Sequence, residues 1–373
     1  MIYKIPRTVS VGGLGKTKRI EIGGNAPVSI QTMWKEGIVS VLNDRNALDS
    51  ILYRINELSQ IGCDLIRFAV PDMDSAKALC LIAENTSMPL VADIHFDYKL
   101  ALECLKGNVA KIRINPGNIG SKENVIKVVN ACKEKGAAIR IGVNSGSLPH
   151  DILEQVNNKQ ITRAEGLALT AAREAEIFNE LNFDSVVVSM KASSVEETIL
   201  ANESFASKFD LPLHIGVTEA GPLISGVVKS TIAFTHLLNE NIGSTIRVSL
   251  SDSPMNEVIT GREILRETGK RTEGVTFAMQ TFFTKISSGI TGALATYSLG
   301  LLGYVAVEDV EGAVYLGTQT AAFEKWIWPL TMLTPAIAAV LYIIPLLLIK
   351  YTPAQKAQVE KELAERRAMA ETH

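Results

Sequence analysis

Lys111-Ile-Arg-Ile-Asn-Pro-Gly-Asn-Ile-Gly120 decides how the rest of the chain reads. A short apolar strand carries Arg113 through its middle and breaks at Asn115-Pro116-Gly117. Proline cannot donate to a strand ladder and glycine turns readily, so a polar loop starts there. An arginine on a buried strand is costly unless it meets an anion. The same design, a strand with polar or basic groups where it ends, recurs through the first two thirds of the chain.

With that strand taken as 110–114, others are expected at 28–33, 65–69, 90–94, 139–143, 185–189, 213–217 and 245–249. Helical spacing marks 44–61, 122–135, 162–181, 194–209 and 221–239. In the first of these, Leu48, Ile51, Leu52, Ile55 and Leu58 fall on one side. Residues 257–267 are expected to be the solvated side of a last helix. Strand–helix alternation repeated over roughly 250 residues predicts an α/β fold, a (β/α)8 TIM barrel. A doubly wound open sheet is the alternative, disfavoured because no Gly-x-Gly-x-x-Gly turn follows the first strand.

Barrel chemistry sits at the C-terminal strand ends, and side chains two apart share a face of a strand. The pairs repeat: Asp93 with His95, Arg113 with Asn115, Ser189 with Lys191, Arg247 with Ser249 and Ser251. Arg140, Gly142 and Asn144 form another line, as do His214, Gly216 and Thr218, with Glu219 next and Arg67 alone on its strand. Together Arg67, Arg113, Arg140, Lys191 and Arg247 predict a polyanion site with few acids. Arginine suits phosphate because its planar fork donates two parallel bonds. Taken singly, each arginine reads equally well as a structural ion pair and His95 as a core histidine. Recurrence on different strands favours the site. Met33 and Trp34 read as packing.

The formal charge of −3 argues against a general nucleic-acid binder. Cys63, Cys80, Cys104 and Cys132 are scattered with no Cys-x-x-Cys pair, a pattern of buried, reduced thiols in a cytosolic domain. The start, Met1-Ile-Tyr-Lys-Ile-Pro-Arg7, has no apolar core of signal-peptide length, which places the barrel in the cytoplasm.

From about Pro6 to Thr268 the chain resembles the catalytic barrel of bacterial 4-hydroxy-3-methylbut-2-en-1-yl diphosphate synthases, enzymes of the methylerythritol phosphate route to isoprenoids. The phrases that carry it include Pro27-Val-Ser-Ile-Gln-Thr-Met33, Val91-Ala-Asp-Ile-His-Phe-Asp97, Ile139-Arg-Ile-Gly-Val-Asn-Ser-Gly-Ser147, Ser189-Met-Lys-Ala-Ser193, Ile215-Gly-Val-Thr-Glu-Ala-Gly221 and the opening stretch. After Met33, Trp34-Lys35-Glu36 departs from the commoner Thr-Asn-Thr, a subgroup difference. The resemblance implies reductive ring opening of 2-C-methylerythritol 2,4-cyclodiphosphate. It implies that Arg67, His95, Arg113, Asn115, Arg140, Asn144, Ser189, Lys191, Arg247 and Ser249 hold the substrate, and that Glu219 handles a proton. It also implies a flavodoxin or ferredoxin electron donor, and it leaves a homo-oligomer open. The family's electrons pass through a [4Fe-4S] cluster held by three cysteines and a glutamate after the barrel. No cysteine follows Cys132 in this sequence, so those ligands are absent and the chain is expected not to turn over alone.

After Gly269 the text changes. Residues 286–307 and 326–349 carry no charge and are each long enough to span a bilayer. Small residues in the first, among them Gly292 and Gly300, suit helix contact in lipid. Trp326, Trp328 and Tyr351 flank the second as an aromatic belt would. Arg262, Arg266, Lys270, Arg271 and Lys285 precede the pair, and Lys350, Lys356, Lys361, Arg366 and Arg367 come after it. That asymmetry predicts a two-helix transmembrane hairpin in the cytoplasmic membrane, both ends inside, with a charged tail. Residues from about Thr268 onward resemble the last two helices of glycoside–pentoside–hexuronide:cation symporters. The stretch that carries this is Thr268-Gly-Lys-Arg-Thr-Glu-Gly-Val-Thr-Phe-Ala-Met-Gln-Thr-Phe-Phe-Thr-Lys285. The expected organisation is a substrate-binding barrel, 1–268, and a membrane hairpin, 269–373. The alternatives are a symporter fragment bearing a foreign barrel, or a chimeric gene product.

Overall fold

The computed structural model describes residues 3–94 and 96–270, and beyond them 292–293, 296–304, 308–310, 313–315, 319–329 and 331–333. The chain divides into two compact units, Met1–Met279 and Gln280–His373. In the first, an antiparallel hairpin of β1 (Val9–Val11) and β2 (Ile20–Ile22) precedes eight parallel strands. These are β3 (Ser29–Met33), β4 (Leu65–Ala69), β5 (Leu90–Asp93), β6 (Lys111–Ile114), β7 (Ala138–Asn144), β8 (Val186–Lys191), β9 (His214–Ile215) and β10 (Thr245–Ile246). Their order is β8-β7-β6-β5-β4-β3-β10-β9. A parallel bridge between Val188 on β8 and Leu213, just before β9, joins the two ends. The sheet therefore closes, and the open doubly wound alternative is excluded.

The helices between strands are α1 (Arg45–Gln60), α2 (Met73–Asn85), α3 (Tyr98–Cys104), α4 (Lys122–Lys135), α5 (His150–Asn157), α6 (Arg163–Glu180), α7 (Val195–Ala206), α8 (Leu223–Asn239) and α9 (Pro254–Glu267). Local chemistry starts them. Asp44 accepts from the Asn46 amide and Asp72 from the Ser75 amide, and Thr162 with Glu165 forms a reciprocal cap for α6. On α1, Leu48, Ile51, Ile55 and Leu58 are buried at helical spacing, as the sequence predicts. Each such side chain contributes about 1.5–3 kcal/mol by leaving water. The main core lies between sheet and helices.

A smaller apolar cluster fixes which end of the barrel is open. Leu65, Val91, Ala110, Ala138 and Val187, all at the beginnings of their strands, pack with Val9, Val11 and Ile22 of the hairpin. The hairpin thus stoppers the N-terminal end, leaving the C-terminal end for a ligand. Strand ends differ from expectation in places. Strand β7 runs one residue further at each end, β8 reaches Lys191, and β9 and β10 pair over two residues each. The hairpin, α2, α3 and α5 were not anticipated from periodicity.

In the second unit, β11 (Glu308–Val310) pairs antiparallel with β12 (Ala313–Tyr315). Residues 296–301, 321–329 and 331–333 are helical. The predicted spans at 286–307 and 326–349 fall largely outside the described residues. Among the described residues no helix is long and apolar enough to cross a membrane.

Candidate anion-binding site

Pleating puts Lys111 and Arg113 on one face of β6, and Arg140, Gly142 and Asn144 on one face of β7. Parallel register sets Asp93 beside Arg113, Arg113 beside Arg140, Gly142 beside Ser189 and Asn144 beside Lys191. The sequence-predicted cations therefore converge inside one barrel. Arg113, Arg140, Lys191, Ser189 and Asn115 are buried, Arg67, Asn144, Arg247 and Ser249 are half-buried, and Glu219 is exposed. His95 lies outside the described residues.

Acids hold part of this charge. Asp93 accepts from Arg113 Nη1 at 3.0 Å and faces Arg67 Nε across a 3.5 Å ion pair. Arg113 Nη2 also donates to the Gly142 carbonyl at 3.3 Å. Two strand glycines make room for cations. A β-carbon at Gly142 would collide with Arg113 Nε, and one at Gly216 would lie 2.7 Å from Lys191 Nζ. Glycine weakens a strand interior, so close approach of another group is the physical reason for it at these positions.

Much of the donor capacity is unmet. Arg140 is 1% exposed, yet its Nε and Nη1 have no hydrogen-bond partner, nor has Arg113 Nε. Burial, opposed by Asp93, draws Arg67 down to about 10, with Arg247 and Arg113 repelling it. Burial drives Arg140 and Lys191 well below their usual values, and the neighbouring guanidiniums push the same way. The Lys191 ammonium lies 3.1 Å from His214 Nε2. Burial and then Lys191 drive His214 well down, so its ring is neutral near pH 7. Orphaned buried donors repelling one another fit an anion-binding site.

Glu219 follows β9 in a left-handed conformation, φ 49°, on the loop that ends with Gly221 at φ 100°. An L residue held there is strained, as residues at functional loops often are. Sequence reasoning placed 257–267 on a solvated face, and for Glu257 this is corrected. Its side chain is buried because it turns inward from the first turn of α9 to accept from Thr32 and Leu250 and to face Arg247. No local signal in the sequence marks it, because the group that turns it inward, Thr32, comes from β3 far along the chain. Trp34 is buried and stacks on Phe68 at 5.4 Å, which agrees with its reading as packing.

A model of the GcpE TIM-barrel domain matches residues 11–262. A protein named 4-hydroxy-3-methylbut-2-en-1-yl diphosphate synthase (flavodoxin) from Treponema denticola is 52% identical over 337 residues, covering 83% of this chain and 86% of that one. The chain belongs to the GcpE family of 4-hydroxy-3-methylbut-2-en-1-yl diphosphate synthases. Enzymes of the same name from Treponema pallidum and Thermodesulfovibrio yellowstonii are 53% and 46% identical, each over 72% of this chain and over 67% and 72% of their own lengths. A model described as MFS/sugar transport protein matches residues 220–353, in keeping with the symporter resemblance. Where the two models overlap, residues 220–262 form α8, β10 and most of α9 of the barrel. Among solved structures, dihydropteroate synthases from Coxiella burnetii and Thermus thermophilus are similar at TM-scores of 0.46 and 0.44, with 12% and 16% identity. They cover 71% and 70% of this chain, and 100% and 98% of their own. Likeness that distant does not bear on the site.

The GcpE family implies a [4Fe-4S] cluster, and the thiols of this chain do not fit one. Cys63 precedes β4, Cys104 ends α3 and Cys132 lies in the last turns of α4, so all three sit toward the stoppered end of the barrel. Burial pushes the thiols of Cys63 and Cys132 up to about 12 and raises those of Cys80 and Cys104 as well. Cluster iron takes thiolates. Among the described residues no group of three His, Cys, Asp or Glu could hold a metal ion.

Proposed function

We propose that the barrel binds 2-C-methylerythritol 2,4-cyclodiphosphate at its C-terminal end and that this polypeptide does not reduce it unaided. The observation that carries the reading is Arg140, fully buried with two donors unpartnered and facing further cations. Two phosphates supply acceptors for several fixed forks at once. Arg67, Arg113, Arg140, Lys191 and Arg247 bind the phosphates, and Asn115, Asn144, Ser189 and Ser249 add polar contacts; His95, implied by the family resemblance, is a further candidate ligand. Glu219, exposed on the loop after β9, gives or takes a proton as an oxygen leaves. None of these groups is a redox centre. The [4Fe-4S] cluster implied by the family would supply the electrons, and the flavodoxin of the relatives' name supports a flavodoxin donor for this family.

Calorimetry with the purified chain tests the binding half. Arg113→Ala and Arg247→Ala should each weaken the cyclic diphosphate by about 1.5–3 kcal/mol, the worth of a charge-assisted bond. Unchanged affinity in both variants sinks the assignment.

The sequence after the barrel supports a second, separate proposal: residues 286–307 and 326–349 tether the barrel to the cytoplasmic membrane with both ends inside. Basic residues before and after the pair against an acidic link, Glu308, Asp309 and Glu311, carry it. A cysteine placed at Gly312 should react with an impermeant reagent from outside intact cells. Labelling only after lysis reverses the orientation, and a chain that stays in solution without detergent removes the spans. Sequencing genomic DNA across the codons for 266–273 separates a true fusion from a chimeric product.

A further inference from the structure

Glu257 is the least expected charge in the barrel. It belongs to the first turn of α9, is 1% exposed, and gathers groups from three segments. From β3, Thr32 Oγ1 donates to Oε2 at 2.8 Å. From the end of β10, Arg247 lies edge-on, Nη2 to Oε1 at 3.3 Å and Nε to Oε2 at 3.4 Å. From the loop beyond, the Leu250 amide donates to Oε1 at 3.2 Å. Lys35, which stands where the family commonly has the asparagine of Thr-Asn-Thr, adds its Nζ at 3.2 Å from Oε1. Lys35 also donates to the Leu250 carbonyl at 2.7 Å and to the Asp252 carbonyl. A buried carboxylate is a poor way to hold a helix, because apolar side chains do it without a desolvation cost. Val258, Gly261 and Leu265 already bury that face of α9. Its distinctive effect is on Arg247. A guanidinium clasped along its Nε edge has one orientation and offers the N–H groups of its remaining edges elsewhere.

We propose that Glu257 is a positioning residue for the anion site, fixing the Arg247 guanidinium and the Leu250 amide so that the β10 side of the rim meets a diphosphate in one geometry. This rests on the binding reading above. The sign of its effect is diagnostic. Charge alone predicts that removing an acid from a cationic rim tightens an anion, whereas loss of positioning weakens it.

The test is a double-mutant cycle on the full chain, reading the affinity for the cyclic diphosphate by calorimetry. Arg247→Ala should weaken binding at least tenfold. Glu257→Gln, an isostere without the charge, should weaken it roughly five- to thirtyfold when Arg247 is present, and less than twofold in the Arg247→Ala background. Equal losses in both backgrounds mean a merely structural role, and unchanged or tighter binding by Glu257→Gln means a merely electrostatic one. Either overturns the proposal while leaving the binding site standing. No loss with Arg247→Ala overturns the binding reading itself, and the proposal with it. Should Glu257→Gln fail to fold, Thr32→Val, which removes one anchor of the same carboxylate, replaces it in the cycle. A loss there that depends on Arg247 supports positioning, and one that does not overturns it.

Discussion

The guanidinium of Arg113 lies across the backbone of Gly142, donating to its carbonyl from Nη2 while Nη1 reaches back to Asp93. One strand thus leaves out a side chain so that a cation from its neighbour can cross it. Gly142→Ala restores that side chain where Arg113 Nε now sits. Either Arg113 leaves Asp93 or the strands part. We expect a loss of roughly 1–3 kcal/mol in urea unfolding, typical of overpacking, and weaker binding of the cyclic diphosphate. An alanine variant with unaltered stability and affinity contradicts the crossing.

Asp93 bears on both Arg67 and Arg113, and its side chain is 3% exposed. Asp93→Asn keeps the shape and removes the charge that offsets two buried guanidiniums. Stability should fall by roughly 3–5 kcal/mol, the cost of leaving buried charge uncompensated. Added cyclic diphosphate or inorganic diphosphate should restore part of it by binding the folded state. The check is the thermal midpoint with and without ligand. A variant as stable as the parent shows that Asp93 does not support the two guanidiniums.

The barrel was legible because its evidence is local. Alternation of apolar runs with helical spacing survives in any window of sequence, and so does the placing of Arg113, Lys191 and Arg247 near strand ends, whereas Arg140 lies deeper in β7, level with Val187. The short hairpin of β1 and β2 was not legible, since three-residue strands carry too little periodicity and owe their place to packing on Leu65, Val91 and Val187. Glu257 was misread for a related reason. A glutamate in a first helical turn ordinarily faces water and the helix dipole, and only the approach of Thr32, distant in sequence, turns this one inward. Asp93 was read as one of a rim pair with His95. Its bonds to Arg67 and Arg113 depend on cross-strand register, which a sequence does not display.

Glu174 offers a pH test beside the turn that carries Asn115. It is 8% exposed on α6, its Oε1 rests against Gly117 of the Asn115–Gly117 turn, and its Oε2 has no partner. Burial pushes its carboxyl up to about 7, opposed by the Gly117 amide. The folded value is raised, so the folded state binds more protons than the unfolded chain between about 4.5 and 7. This group therefore favours folding below that window and loses the advantage as pH rises through it. His214 acts oppositely, since its folded value is depressed below 6.5 and its contribution fades as pH falls. Glu174→Gln isolates the first effect. It should be more stable than the parent at pH 8 by roughly 2–3 kcal/mol, with the difference closing toward pH 4.5. Denaturant titrations at pH 8, 6.5 and 5 decide it, and a difference independent of pH rules out the titration.

The last prediction concerns turnover. Ring opening of the cyclic diphosphate consumes two electrons, and arginines, a lysine and a carboxylate carry none at accessible potentials. Cys63, Cys104 and Cys132 lie toward the stoppered end of the barrel, away from where Arg247 and Glu219 meet solvent. Their thiols are held in the neutral form by burial, unsuited to bind iron. Purified chain incubated anaerobically with iron and sulfide should therefore gain no cluster absorption and form no product with a strong chemical reductant. It should still bind substrate, with the Arg113→Ala loss intact, which separates a missing electron path from a ruined site. Cluster absorption together with product from this chain alone would refute the prediction, and would require thiolates from residues that burial keeps protonated.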